Sequence, residues 1–401
     1  MNRINEMIRE FCPNGIKTVP LWKYTAWDKK FNAVDNSMQK SIIKYKYLLA
    51  NKLNEIVDNT GDIRILYTSE EVSYTTEEKA GEFISQGEIV AIPWGGNPNV
   101  KYYNGRFVTG DNRIATSIAP KILDTKFLYY VLLNKLDIIN TFYRGAGIKH
   151  PSMFSVLTLE IPLPPLNIQK EIVSILDSFT SLIGKMKQEV EMRKKQMEYY
   201  REKLMAPQTN WKIKTLGEIG TFTRGNGLQK SDFRVKGFPC VHYGQIHTYY
   251  NTCIYKTKSF CEEDLAKKLQ KASYGDLLIA TTSEDVKACC KAAVWFGAGD
   301  VAYSGDSFCY SHDQDPKYMA YLFQTEMFAK QKQKAATGAK VIRVSGESMA
   351  SFSFAFPPLV QQRQIASILD TFESYISKLE KMIELRQKQY EYYREKLLTF
   401  E

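Results

Sequence analysis

Cys240, His242, His247 and Cys253 are side-chain types that can ligate zinc, yet their spacing matches no familiar zinc arrangement. Their setting, Gly237-Phe-Pro-Cys-Val-His-Tyr-Gly-Gln-Ile246, reads instead as a strand ending in a turn. Glu284-Asp-Val-Lys287 places two carboxylates near a lysine, as nuclease centres do. No upstream acidic partner accompanies it, so a solvated loop is the better reading. The four histidines follow no triad order. No GxxxxGK[ST] loop is present to cradle a nucleotide phosphate. Methyl transfer to adenine would need an Asn/Asp-Pro-Pro-aromatic motif and a glycine-rich cofactor loop. Asn97-Pro-Asn99 and the two Pro-Pro-Leu runs do not replace them. The expectation is a chain with no catalytic centre, no bound metal and no cofactor.

Charge points outward, to a partner. The 401 residues carry a formal charge of +10, which suits an acidic partner such as nucleic acid or an anionic membrane surface. The most apolar stretch, 127–139, is interrupted by Asn134, Lys135 and Asp137 and is too short to span a bilayer. Residues 1–11 carry Arg3, Glu6, Arg9 and Glu10 and lack the apolar core of a secretion signal, so a cytoplasmic location is expected. Seven cysteines without a CxxC pair suit reduced thiols, with Cys289 and Cys290 as small core fillers.

An internal repeat must position whatever binds that partner. Pro164-Pro165-Leu166 recurs as Pro357-Pro358-Leu359, and Ser174-Ile-Leu-Asp177 as Ser367-Ile-Leu-Asp370. Phe179 matches Phe372, and Tyr199-Tyr-Arg-Glu-Lys-Leu204 returns letter for letter from Tyr392 to Leu397, without a slip of register. Leu176, Ile183, Val190, Met197 and Leu204 recur every seventh residue, beside Ile172, Phe179, Met186, Arg193 and Tyr200. The second copy repeats the seam with Leu369, Ile376, Ile383, Tyr390 and Leu397, beside Ile365, Phe372, Leu379, Arg386 and Tyr393. Such rows predict two long coiled-coil helices whose seams face each other, each beginning after its Pro-Pro pair. Arg193 and Arg386 interrupt the apolar rows; either their stems pack while the guanidinium groups reach outward, or they set the register as a polar layer.

The helices separate two globular blocks that share an order of features. Gly15-Ile-Lys-Thr-Val19 parallels Trp211-Lys-Ile-Lys-Thr-Leu216, and Gly87-Glu-Ile-Val-Ala91 parallels Gly275-Asp-Leu-Leu-Ile-Ala280. Gly110-Asp111 parallels Gly305-Asp306. Lys126-Phe-Leu-Tyr-Tyr-Val-Leu132 and Lys317-Tyr-Met-Ala-Tyr-Leu-Phe323 each read as a short amphipathic helix. Glycine and lysine loops follow, Arg144-Gly-Ala-Gly-Ile-Lys149 and Thr337-Gly-Ala-Lys340. The expected fold is mixed α/β: two strand-rich domains joined by two long antiparallel coiled-coil helices in a pseudo-twofold repeat. Its expected parts are a first domain at 1–160 with an N-terminal helix, a helix at 164–206, a second domain at 207–355 and a helix at 357–401. The segment from Ile4 to Pro13 resembles a lead-in to the first domain, so joining the two chain ends would give a nearly twofold ring of domain, helix, domain and helix.

These features together resemble the specificity subunit of type I restriction–modification systems over essentially the whole chain. The junctions carry most of the likeness: glycine loop, strand, Pro-Pro-Leu, Gln, then Ile-Leu-Asp. Arg224-Gly-Asn-Gly-Leu-Gln-Lys-Ser-Asp232 and Trp27-Asp-Lys-Lys-Phe31 resemble openings found in target-recognition domains. The family usually has Glu-Gln after Pro-Pro-Leu, where Ile168-Gln169 and Gln361-Gln362 stand here. The resemblance implies a non-catalytic subunit that binds double-stranded DNA alongside two methyltransferase subunits and with restriction subunits, and that reads two unlike half-targets across an unread gap. Under it, Lys29, Lys30, Trp94, Asn97, Arg106, Arg113, Arg144 and Lys149 are the DNA-contact candidates of the first domain. Arg224, Asn226, Gln229, Lys230, Arg234, Lys287, Lys340 and Arg343 are those of the second. Two other classes stay open to sequence: a specificity protein working with a type II-like methyltransferase–nuclease, and a coiled-coil scaffold that binds no DNA.

Overall fold

The computed structural model describes residues 2–400. The chain divides into two compact units, Met1–Met186 with Met382–Glu401, and Lys187–Lys381. Each unit therefore holds one globular domain, the first part of the helix that follows it and the last part of the other helix.

In the first unit a six-stranded sheet runs in the order Thr25–Trp27, Asn112–Ser117, Ser85–Pro93, Lys101–Thr109, Ile63–Leu66, Val72–Thr75. Its first four strands are antiparallel neighbours, and Ile63–Leu66 lies parallel to Lys101–Thr109. The second unit repeats this order with Gly220–Arg224, Ser307–His312, Leu277–Ala280 and Lys291–Trp295, followed by the parallel strand Cys253–Ile254. A further four-stranded sheet in this unit has no counterpart in the first.

Continuous apolar runs mark the central strands because both sheet faces are covered. Val90 and Ile92 enter one core while Ile89 and Ala91 enter another. Leu277 and Ile279 alternate in the same way with Leu278 and Ala280. Each domain is closed by a short antiparallel pair joining its start to its end, Thr18–Pro20 with Glu160–Pro162 and Lys212–Thr215 with Ser353–Phe356.

The short helices Thr125–Asn134 and Pro316–Leu322 depart from the amphipathic expectation. Phe127, Leu128, Tyr130, Val131 and Leu132 are all buried in the first, and the five residues from Tyr318 to Leu322 in the second. Each helix contributes to a core that also takes in the long helix, so little of its surface meets water.

The long helices span Leu166–Leu204 and Leu359–Thr399. In the first unit Leu176 and Ile183 share a core with Tyr390 and Leu397, and Phe179 stacks on Tyr393 at 5.5 Å. In the second, Phe372 stacks on Tyr200 at 5.5 Å and Lys194 pairs with Glu380 at 2.9 Å, so the segments run antiparallel. Val190, Leu369 and Ile376 are buried, while Met197 and Ile383 are partly so. No buried polar layer forms at the seam arginines: Arg193 bonds Glu189 and Gln196 beside the Tyr375 ring, and Arg386 is exposed and bonds Gln389. In each Tyr-Tyr pair the second ring stacks, and the first is exposed. Among the described residues, no helix is long and apolar enough to cross a membrane. The helix Asn2–Phe11 buries Ile4 in the core that contains Leu397 and Leu398, so the chain ends meet in one unit.

Two polar devices join each domain to its helix. Asp177 accepts from Lys126 Nζ at 2.7 Å and Tyr130 Oη at 2.6 Å; Asp370 does so from Lys317 and Tyr321. Burial pushes both phenols up, aided by Asp177 at Tyr130 and by Glu373 and Asp370 at Tyr321, which keeps them as donors. At the helix start, fully buried Gln169 donates to the carbonyls of Ile122 and Pro164 and accepts from the Asp124 N–H. Gln362 accepts from the Asp315 N–H and donates to the Pro357 carbonyl and to Gln314. At the departure from the Glu-Gln pattern, the second residue is thus the one with the junction's work. Replacing Gln169 with leucine keeps the volume but removes the partner of three backbone groups at a buried or part-buried junction. Urea unfolding of Gln169→Leu should show a loss of about 3 kcal/mol, with a similar loss for Gln362→Leu.

Candidate nucleic-acid interface

One end of each main sheet collects most of the candidate residues. In the first unit, Trp27, Pro93, Lys101 and Asn112 stand at that end of their strands, because Pro93 pairs with Asn112 and Trp27 with Ala115. The turns beyond them carry Asp28, Lys29, Trp94 and Asp111. In the second unit, Arg224 pairs with Phe308 and Ala280 with Ser307, so Arg224, Asp306 and the loop 281–290 share the equivalent end.

A hairpin packs onto the loop at each end. In the first domain Tyr143–Arg144 pairs with His150–Pro151. The Gly96 N–H donates to the Lys149 carbonyl at 3.1 Å, and His150 Nδ1 donates to the Trp94 carbonyl at 2.8 Å. The Trp94 ring lies 5.1 Å from the His150 ring, with Lys29 Nζ at 5.4 Å and the Arg113 guanidinium at 4.7 Å. In the second domain Thr337 and Arg343 exchange two backbone bonds of 2.9 Å. Ile342–Arg343 then pairs with Thr282–Ser283 of the loop. Lys29, Trp94, Arg113, Arg144 and Lys149 thus meet in one place, with Asn97 on the same loop; Lys287, Lys340 and Arg343 meet in the other.

Buried cations hold these loops. Arg113 is fully buried and pairs with Asp28 at 2.7 Å and with Asp111. It therefore presents no charge to a ligand; it positions Trp94 and the two aspartates. Burial pushes Asp28 up, and Arg113 works against that rise. Lys101, brought down to about 8 by burial, bonds Asn99 and the Thr68 carbonyl at 3.3 Å. In the second domain Lys332 is buried and donates to the carbonyls of Lys287 at 2.9 Å and Cys289 at 2.8 Å. That bracing sits beside Cys290, whose φ of 61° is uncommon for a residue with a side chain.

Of the other candidates, Lys30, Arg106 and Arg234 stand apart, and Arg224, Asn226 and Gln229 line one cavity. Lys30 bonds Asn36. Arg106 pairs with Glu77 at 2.7 Å, and its register with Gln86 puts it near the opposite end of the strands from Trp94. Arg224 donates to the Gly305 carbonyl and, with Asn226, Gln229, His242 and Asp306, lines an open cavity of about 470 Å³. The Asp306 carbonyl accepts from the Thr281 N–H at 3.2 Å, so this cavity adjoins the loop 281–290. Asn226 ties together Lys268 and Gln270, and Arg234 is paired with Glu262. Lys230 is exposed beside that cavity. Lys287 is exposed, and its N–H donates to Asp285.

His242 caps the helix Tyr243–Thr248, while His247 bonds the Thr282 carbonyl; no group of three metal-ligating residues converges among the described residues. Lys332 is the loop-bracing residue that the sequence did not reveal. Its neighbours Lys330, Gln331, Gln333 and Lys334 give it the look of a solvated face. Asp111 carried a usable signal as half of the repeated Gly-Asp pair, and Asp28 as part of the Trp27–Phe31 opening.

Comparison with known proteins gives one answer. The family model for the type I restriction modification DNA specificity domain matches residues 30–192 and 208–387. A type I restriction enzyme specificity subunit of Methanocaldococcus jannaschii is 22% identical, over 82% of this chain and 84% of its own. One of Escherichia coli is 27% identical, over 62% of this chain and 65% of its own. The crystal structure of a type I system S subunit from M. genitalium shares the fold, with a TM-score of 0.61, 16% identity and 96% coverage of each chain.

The Arg113 cluster makes a quantitative contrast with the exposed candidates. Arg113→Met leaves Asp28 buried without its cation, and chemical denaturation should register a loss of about 3–5 kcal/mol. Arg144→Met, on the exposed hairpin, should change stability by less than about 0.5 kcal/mol.

Proposed function

The chain belongs to the type I restriction–modification DNA specificity family, and from that premise we propose that its two domains read two unlike halves of one DNA target. It is a specificity subunit of a type I complex. One observation carries the reading: each unit presents the same construction, a sheet end with a hairpin packed on a loop, but with different side chains. A shared frame suits a common ligand shape, and unlike loops suit unlike base sequences. In this reading Arg144, Lys149, Lys340 and Arg343 hold phosphates, while 94–100 and 281–290 meet base edges. The subunit works where its DNA is, in the cytoplasm, and leaves the chemistry to its partners.

Two methyltransferase subunits dock on the helices, and restriction subunits join the complex so formed. Equivalent helix positions in the two units stay exposed to matching extents, Met192 and Leu385 at 53% and 57%, and Tyr199 and Tyr392 at 59% and 56%. Apolar side chains kept out of the core at repeated positions suit two copies of one partner.

Exchange of 207–355 for another such domain tests the reading directly. Methylome sequencing should show one half of the target changed and the other retained; a change in both halves would refute independent reading. Native mass spectrometry tests the docking. Wild type should carry two methyltransferase copies, Met192→Asp or Leu385→Asp one, and the double variant none. The chain alone should transfer no methyl group from S-adenosylmethionine to duplex DNA.

A further inference from the structure

The hairpin tips 145–149 and 338–342 are built alike although three of their five residues differ. Gly145 and Gly338 open them with φ of 141° and 99°, in the region that favours glycine. A Cβ on Gly145 would strike the Ile148 carbonyl, and one on Gly338 would strike the equivalent Val341 carbonyl. The chain therefore turns back at the same point in both domains. That turn presents one β-branched side chain to solvent, Ile148 at 70% exposure and Val341 at 42%.

Neither side chain serves a core, and each sits among cations. Arg144 and Lys149 flank Ile148, and Lys340 and Arg343 flank Val341. No Asp or Glu occurs in 143–151 or 336–344. Across the packed loop of the second domain stand the exposed carboxylates of Glu284 and Asp285, so the charge there is mixed beyond the tip itself. A partner that offers apolar surface between anions matches both tips, and the sugar–phosphate backbone of a duplex is that partner.

Resting on the DNA-reading proposal, we propose that the two tips make one sequence-independent contact with the duplex backbone. Ile148 or Val341 lies against deoxyribose, between phosphates held by the flanking cations. Two domains that read unlike bases share this feature, so its task cannot depend on those bases. Discrimination then belongs to the loops 94–100 and 281–290, which the domains do not share.

The test uses the full complex of this chain with its methyltransferase, and two duplexes of equal length, one bearing the methylated target and one scrambled. Ile148→Ser and Val341→Ser should each weaken binding to both duplexes by a similar factor, about tenfold. The methylated sequence, the melting temperature and the methyltransferase content should not change. Ile148→Val and Val341→Ile, which keep the apolar branch, should bind as wild type does. Unchanged affinity in both serine variants would overturn the proposal. So would a loss confined to the target duplex with an altered methylated sequence, which would make the tip a reader of bases, or a loss of methyltransferase, which would make it a protein contact. A wild-type complex that marks no fixed sequence would instead overturn the DNA reading beneath it.

Discussion

A buried glutamine amide at the start of each long helix, satisfied on both its oxygen and its nitrogen, holds the junction on which the rest of the molecule depends. The Pro164 and Pro357 carbonyls lie ahead of the first turn of each long helix, and the Asp124 and Asp315 N–H groups ahead of each short helix, so none of them has a partner within its helix. Gln169 and Gln362 serve both deficits at once. With the helix start tied to the domain, the next turns bring Asp177 and Asp370 against their lysine and tyrosine partners. The apolar seam then continues from a fixed origin. Deleting the amide would leave several buried or part-buried polar groups without this partner together, which is why packing alone could not replace it.

The same economy governs the sheet ends. Loops that must meet a ligand cannot bury themselves, so their shape has to be imposed from below. In the first domain Arg113 does this through two aspartates and the Trp94 ring. In the second, Lys332 does it through two backbone carbonyls. The two solutions share no residue and no position, yet each places a buried cation under a loop. Buried charge is costly unless paired, so each cation accepts only the loop conformation that satisfies it.

Duplication followed by divergence explains the distribution of likeness. Sheet order, closing strand pair, helix anchors and hairpin tips recur between the domains. The extra four-stranded sheet, the loops after the central strands and the bracing cations do not. What recurs serves folding, and under the proposed DNA reading the shared tips meet the common form of a duplex while the unlike loops meet unlike bases. The expectation of a mixed α/β specificity subunit with paired long helices agrees with both the architecture and the family.

Sequence by itself determined the repeat, the two long helices, the shared order of the domains and the family, because each leaves a one-dimensional trace. A heptad row, a Pro-Pro stop or a Gly-Asp pair keeps its spacing whatever surrounds it. Tertiary structure alone decided which charged residues face outward. Arg113 and Arg144 look alike in sequence, but the first is enclosed by Asp28, some 85 residues away, and the second stands on a free hairpin. Lys332 lies in a run of lysine and glutamine yet points into the interior. Burial depends on which distant segment arrives to cover a side chain, and no local pattern records that arrival. The equivalence of Ile148 and Val341 was hidden for a related reason: glycine turns fix where the chain reverses, and only the folded hairpins show that both reversals expose the same kind of side chain.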